Sequence, residues 1–529
     1  MRLKYFFPLL LLLLGSLAQA RVDFELRPFN VSEFNDFAKL EQTCTASPTA
    51  SFWCERIDDE LSLITTKGAD YFFDDSGEIV ALFTKQQKGQ NIKNYNVDSG
   101  QNLIPVNATV PGGAVLLDGE YTAPDAPENE WVKLESGEGD YYQGTFSYSL
   151  GGVDVEKELI VRNVAHVTGV TLTATRSGAA EGSEGEAGSE GEAGGLEPVT
   201  VQYAQPGIAN TSPPVVKVGH GDTFSLNPPA DQPFNNPTYI SLQNNNRNTK
   251  NAIILRSGNV ADTEVAAEFV APNLITLQKT LPAEAGASTT LNIQEYAGQN
   301  ELVRYSQEGY LDLPGLFKPN ILGRLSLWVL WALAQIHSVV GNWGLSIVVL
   351  TLVFRALIWP LITTQTKSMY GMQAIQPKIQ ALQKKYKDDR EKLTQETMKI
   401  YKEAGVNPAG GCLPIIVQMP LFIILWRIFA NFEFNAGFLW IPDLGQPDPF
   451  YILPILYVAV IFAQSYFMSQ GNPQMLRQQL LMNVVFVFLF LSFPAGVILY
   501  YVVSMMVQVF QYWLIRRDQP ATPAKATKA

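Results

Sequence analysis

Hydrophobic and polar positions along this chain follow two periods. From about Glu60 to Ala297, short alternating runs are separated by Gly, Pro, Asn and Asp. Gln143–Leu150 and Val153–Val161 flank Gly151-Gly152 and predict a hairpin, and Val167–Thr175 continues the alternation. Ala252–Leu255, Glu264–Val270 and Thr289–Gln294 predict further strands. So many short strands predict a large β-sandwich rather than a parallel sheet. Beyond Ile321 the pattern becomes long apolar runs. They predict five membrane spans, at Trp343–Ile362, Cys412–Asn431, Phe450–Met468, Gln479–Phe493 and Ala495–Ile515, with Pro494 and Gly496 dividing the last two. Gly323–Val340 carries Trp328, Trp331, Arg324 and Gln335 on a roughly common face. This suits an interfacial helix, and a plain extension of the first span is equally allowed.

Between the first two spans, Met369, Met372, Ile375, Ile379, Leu382 and Tyr386 follow a three-four repeat. Leu393, Ile400, Tyr401 and Ala404 form a second stripe after Asp388-Asp389. The pattern predicts a helical hairpin over 363–411 whose stripes pack together, with Pro377 bending its first arm. Its lysines form either a solvated face or a contact for ribosome, targeting factor or lipid headgroups.

Charge separates the two halves. Residues 21–320 hold 19 Lys and Arg against 41 Asp and Glu, net −22, whereas residues 321–529 hold 17 against 9, net +8; Arg2 and Lys4 complete the total of −12. The acidic half argues against nucleic-acid binding, because phosphate is repelled. Within it, residues 182–194 (GSEGEAGSEGEAG) are a low-complexity insert that cannot build a core. Residues 1–20 place Arg2 and Lys4 before an apolar run and Ala18-Gln19-Ala20 after it, which reads as a signal peptide or a retained first membrane segment. Either way residues 21–320 are exported. Thr363–Gly411 carries nine Lys and Arg against five Asp and Glu, Phe432–Pro449 carries none of the former, and Arg477 and the basic tail 516–529 return to the first side. All of these loops agree with a cytoplasmic hairpin and tail.

Two cysteines, Cys44 and Cys54, lie in the exported region, where a disulfide can persist; Cys412 stands apart. His166, His220 and His337 show no metal-ligand spacing, and neither a phosphate-binding loop nor a catalytic constellation is present, so no cofactor is expected.

Arg355 is the most informative residue. It lies inside the Trp343–Ile362 run, where a guanidinium costs about 3 kcal/mol on insertion scales, so it is expected to face water, a partner or a substrate unless it snorkels to the nearby Thr363. Arg427, about five residues from the outer end of its span, reads as an interfacial anchor or a partner of Glu433.

IHSVVGNWGLSIVVLTLVFRALIWPL, MQAIQPKIQALQKKY, VNPAGGCLPIIVQMPLF, DPFYILPIL and FPAGVILYYVVS occur in this order across about Leu325–Ile515 and resemble the YidC membrane-protein insertase family. The resemblance implies a multi-pass α-helical membrane protein of the bacterial inner membrane. Its parts are a five-span insertase core over 341–515 and an exported all-β, β-supersandwich-like domain. It implies insertion of nascent membrane proteins from the cytoplasm, alone or beside the Sec translocon, through a hydrophilic groove. Arg355 matches the groove arginine of the family, and Thr351, Gln418 and Tyr501 fall near that groove in its pattern. For each of these three, ordinary helix–helix hydrogen bonding is the competing reading. Two features depart from the family: the first segment looks cleavable, and Arg427 adds a second intramembrane charge. The alternatives are a small-solute transporter or channel, for which no internal repeat is visible, and a membrane-anchored sugar-binding or enzymatic β-domain.

Overall fold

The computed structural model describes residues 24–46, 52–85, 95–97, 101–105, 108–136, 139–163, 166–177, 197–208, 214–245, 250–259, 262–387, 389–405, 413–434, 437–469, 477 and 490–518. The expectations for segment 1–20, the acidic insert 182–194, Cys412, most of Gln479–Phe493 and residues 519–529 lie outside them. Among the described residues the chain divides into two compact units: residues 24–319 with 431–434, and residues 320–430 with 437–518.

The first unit contains nineteen strands in three antiparallel sheets among the described residues. One sheet runs in chain order through β1 (Glu25–Asn30), β2 (Glu60–Thr65), β3 (Ala69–Phe73) and β4 (Ile79–Thr84). The nine-stranded sheet has the order β13 (Thr223–Leu226), β12 (Val215–His220), β15 (Tyr239–Asn245), β16 (Lys250–Ser257), β19 (Ser288–Gln299), β10 (Val167–Arg176), β9 (Val153–Arg162), β8 (Gly139–Leu150) and β7 (Glu128–Ser136). The six-stranded sheet has the order β14 (Phe234–Asn235), β17 (Ala266–Val270), β18 (Leu274–Leu281), β11 (Val199–Pro206), β5 (Ala114–Leu117) and β6 (Glu120–Tyr121). The expected hairpin is the β8–β9 pair, in register from Leu150–Val153 to Tyr141–Arg162, and its Gly-Gly turn places both glycines at positive φ.

Alternation along β9 buries Val153, Val155, Leu159 and Val161, and in the same row buries Lys157, whose Nζ donates to the Gly113 carbonyl at 3.2 Å. The core also encloses Arg56, which binds Asp74 at 2.7 Å, Glu78 at 2.6 Å and the Tyr121 hydroxyl at 2.8 Å. Such buried charges are tolerated because each has a partner. Cys44, on α1 (Phe37–Ala46), is joined to Cys54 by a disulfide. Structure begins well before Glu60: β1 and α1 precede it, and α2 (Leu302–Gln307) follows the last strand.

In this unit, residues 431–434 are held by a backbone clamp. Gln307 Nε2 donates to the Glu433 carbonyl at 2.9 Å and Gln307 Oε1 accepts from the Glu433 amide at 2.8 Å. Lys67 Nζ donates to the Phe434 carbonyl at 2.7 Å. The Glu433 carboxylate, 2% exposed with its residue, lies 3.6 Å from His166 and 4.0 Å from Arg304.

The second unit is helical. Its described elements are α3 (Ile321–Val340), α4 (Trp343–Leu357), α5 (Trp359–Lys385), α6 (Arg390–Glu403), α7 (Leu413–Asn431), α8 (Ile452–Ser469) and α9 (Ala495–Asp518). Asn320 caps α3 through Gly323, and Asn342 caps α4 through Leu345. Between them Gly341, at φ 70°, closes α3 in the left-handed conformation, and the two helices are bent by 120°. The His337 ring stacks on Trp343 at 3.8 Å across this elbow. Trp328 and Trp331 are exposed on α3.

Two expectations require correction. The span drawn to Ile362 ends at Leu357: Ile358 leaves helical geometry at φ −90° and ψ 2°, and Pro360 then sits in the first turn of α5. Proline is compatible with a helix start and not with its interior, so the break falls before it. Consequently α5 runs unbroken into the hairpin arm rather than starting at 363. The hairpin stripes also bury less than their periodicity suggests: Leu393, Ile400 and Tyr401 are half-covered, and α6 has no buried residue. Among the described residues, Ala495–Ile515 of α9 is long and apolar enough to cross a membrane alone; α3 and α4 meet that length only as a bent pair.

Candidate functional site

The α4 face at Ile347, Thr351 and Arg355 repeats every four residues, which stacks these side chains along one side of the helix. All three are buried, and Arg355 is 6% exposed. Across from it, α9 supplies Ser504, whose Oγ accepts a hydrogen bond from Arg355 Nε at 2.6 Å. Tyr500, Tyr501 and Tyr512 of α9 lie within electrostatic reach of the guanidinium. No carboxylate pairs with Arg355 among the described residues, so the cation is fixed by polar neutral groups alone. A charge held this way in an apolar helix pair keeps a strong unmet demand for an anion or for water.

Thr351 is fully buried, and its hydroxyl donates to the Ile347 carbonyl of its own helix at 2.6 Å. Gln418 of α7 is half-buried beside Tyr500 and Tyr501, and Tyr501 packs on Phe422 of the same helix with ring centroids 6.2 Å apart. The structure therefore brings Arg355, Gln418 and Tyr501 together through three helices far apart in the chain, with Thr351 one turn from Arg355 on the same side of α4.

Sequence reasoning missed Ser504, Tyr500 and Gln511. Gln511 Nε2 donates to the Trp359 carbonyl at 3.1 Å and to Thr363 Oγ1 at 2.8 Å, tying α9 to the first turn of α5. A signal was available: Tyr500, Ser504, Gln508 and Gln511 recur at three-four spacing, a polar stripe through an otherwise apolar span. Among the described residues no group of His, Cys, Asp and Glu is arranged to hold a metal ion.

The description "60Kd inner membrane protein" belongs to the family matched by residues 335–522, which contain every residue of this site. The membrane protein insertase YidC of Deinococcus radiodurans is 36% identical over 329 residues, covering 61% of this chain and 74% of that protein. The chain belongs to the YidC membrane protein insertase family. The family's member from Pseudomonas fluorescens strain SBW25 is 43% identical over 202 residues, 37% of this chain and 36% of its own length. A crystal structure of an active YidC insertase with its first transmembrane domain resolved aligns with 85% of this chain and 91% of that one, at TM-score 0.50 and 22% identity. That likeness carries the fold: an all-β region and a helical region. Nothing in these likenesses favours the transporter expectation.

Proposed function

We propose that the protein is an inner-membrane insertase that takes hydrophobic segments of nascent membrane proteins from the cytoplasm and releases them into the bilayer, with Arg355 as the polar centre of the path. The observation that carries the reading is Arg355 itself, buried between α4 and α9, anchored through Nε to Ser504 and without a carboxylate partner among the described residues. Membership of the insertase family supplies the activity class.

The chemistry required is modest. A fixed cation attracts acidic residues of a client's polar tail more strongly than bulk water permits. The membrane potential, negative inside, favours outward movement of each negative charge by about 2.3 kcal/mol per 100 mV. Burial of the following apolar segment in lipid completes release. Thr351, Gln418 and Tyr501 give the tail neutral hydrogen-bonding partners along the same path. Five spans over 341–515, an exported β-unit, and a cytoplasmic hairpin over 363–411 open to ribosome, targeting factor or lipid headgroups complete the reading, with insertion either alone or beside the Sec translocon. The loop charges and family membership support it.

The test is insertion of a single-span client, synthesised in vitro, into proteoliposomes holding only this protein, scored by protease protection. Protection above empty liposomes, lost on Arg355→Ala, is the expected result. Protection that is unchanged in Arg355→Ala would remove Arg355 from the path.

A further inference from the structure

In the β-unit, Arg256 has no carboxylate partner among the described residues. Arg256 stands opposite Gln294 in the β16–β19 register. Ile254, two residues earlier on the same face, is buried with Tyr296, Tyr305, Tyr310 and Leu316. Arg256 occurs where that cover ends. Its Cζ lies 4.5 Å from the centroid of the Tyr310 ring, and its Nε donates to Gln294 Oε1 at 2.7 Å. The ring contact and the Gln294 bond together hold the guanidinium in place while leaving its Nη groups without a protein acceptor among the described residues.

Around it lies a cavity of about 160 Å³, walled by Pro237, Leu313, Asn236, Ser257 and Gln294. Asp262 also lines the cavity, and its charge is met by Lys279 at 2.8 Å rather than by Arg256. Among the described residues no carboxylate lies in ion-pair range of Arg256 and no acceptor takes a bond from its Nη groups.

We propose that this cavity binds a carboxylate carried on a compact organic ligand, with the Arg256 Nη pair as the bidentate donor. Two parallel N–H bonds match the two oxygens of a carboxylate. Pro237 and Leu313 offer apolar walls to a short aliphatic portion, and the volume suits one residue-sized group. The surrounding negative charge disfavours polyanions, which selects a monocarboxylate over phosphate. The source is either a free carboxylic acid or the C-terminal residue of an exported peptide.

The experiment uses the full-length protein in detergent and calorimetric titration with N-acetyl-leucine, its amide, inorganic phosphate and a tetrapeptide ending in leucine with a free carboxyl. The expected result is saturable binding of the acid, about tenfold weaker binding of the amide, and about tenfold loss for the acid in Arg256→Gln. Arg256→Lys, which keeps the charge and loses the fork, should give an intermediate value. Circular dichroism and melting of both variants separate a lost contact from a lost fold, and Gln294→Ala supplies a second route by freeing the guanidinium. Tighter binding of the peptide identifies a chain terminus as the source, and equal binding identifies a free acid; both support the site. Equal affinity for acid and amide, affinity unchanged in a folded Arg256→Gln, preference for phosphate, or no binding of either acid at about 50 mM would overturn it.

Discussion

Arg355 Nε donates to Ser504 Oγ at 2.6 Å across 149 residues of chain. The bond joins α4 to α9 at the one point where the apolar face of α4 carries a charge. It both aims the guanidinium and prevents it from retreating along its own helix.

Ser504→Ala should therefore act through Arg355. Loss of a buried partner to a charged group costs about 1–3 kcal/mol. The expected outcome is a lower melting temperature in detergent together with weaker client insertion. An Arg355→Ala, Ser504→Ala double variant should lose less than the sum of the two, because both remove one contact. Strict additivity would mean that the bond does not operate in the membrane.

Neutralising Arg355 should separate clients by tail charge. Arg355→Ala should lower insertion of clients with acidic exported tails more than clients with neutral tails, and Arg355→Lys should preserve most of the difference. Paired protease-protection assays on tails differing only at acidic positions measure this. Equal losses would replace charge attraction with simple hydration as the role of the site.

The elbow before α4 depends on Gly341, whose φ of 70° costs a residue with a Cβ about 1 kcal/mol. Gly341→Ala should destabilise the helical unit by about that amount, and Gly341→Asn should do so less. Thermal unfolding in detergent reports both, and a Gly341→Ala protein as stable as the parent would show that the 120° bend is not maintained.

The β-unit should lose stability as pH rises from about 4.5 towards 7. Burial pushes the Glu295 carboxyl up to about 7, against the opposing effects of the Tyr203 hydroxyl, 2.6 Å away, and Lys157. Burial likewise raises Glu308 to about 7. The folded state then holds protons that the unfolded chain releases, so this stabilisation is complete below the unfolded carboxyl range and lost through pH 7, at most about 3 kcal/mol per group. Glu295→Gln should flatten the dependence. A parent protein equally stable at pH 5 and pH 8 would contradict it.

The clamp on residues 431–434 predicts a local effect. Gln307→Ala removes both bonds to the Glu433 backbone, and hydrogen exchange at Glu433 should accelerate while the strands β8 and β9 keep their protection. Unchanged exchange would assign the hold to Lys67 and the buried Glu433 side chain.

Much of the architecture was legible in the chain, because it follows from periodicity. The Gly151-Gly152 hairpin, the strands around Ala252 and Thr289, and helices near Leu413, Ile452 and Ala495 all express local patterns that burial of one face demands. Arg355 was visible for the same reason, as a charge where the pattern allows none. Partners were not legible. Nothing in the spacing announces that Ser504 meets Arg355, that Arg256 bonds Gln294, or that Glu433 is gripped by Gln307. These pairings join residues separated by 149, 38 and 126 positions in the cases of Ser504, Gln294 and Gln307, and only packing in three dimensions selects them. The end of α4 at Leu357 also belongs to this second class. A hydropathy run continues through Ile362, whereas the helix breaks where Pro360 must occupy a first turn. Sequence determined which faces must be buried and where a charge had to have a purpose; tertiary structure decided which groups meet, because hydrogen bonds and ion pairs depend on ångström distances that no one-dimensional period encodes.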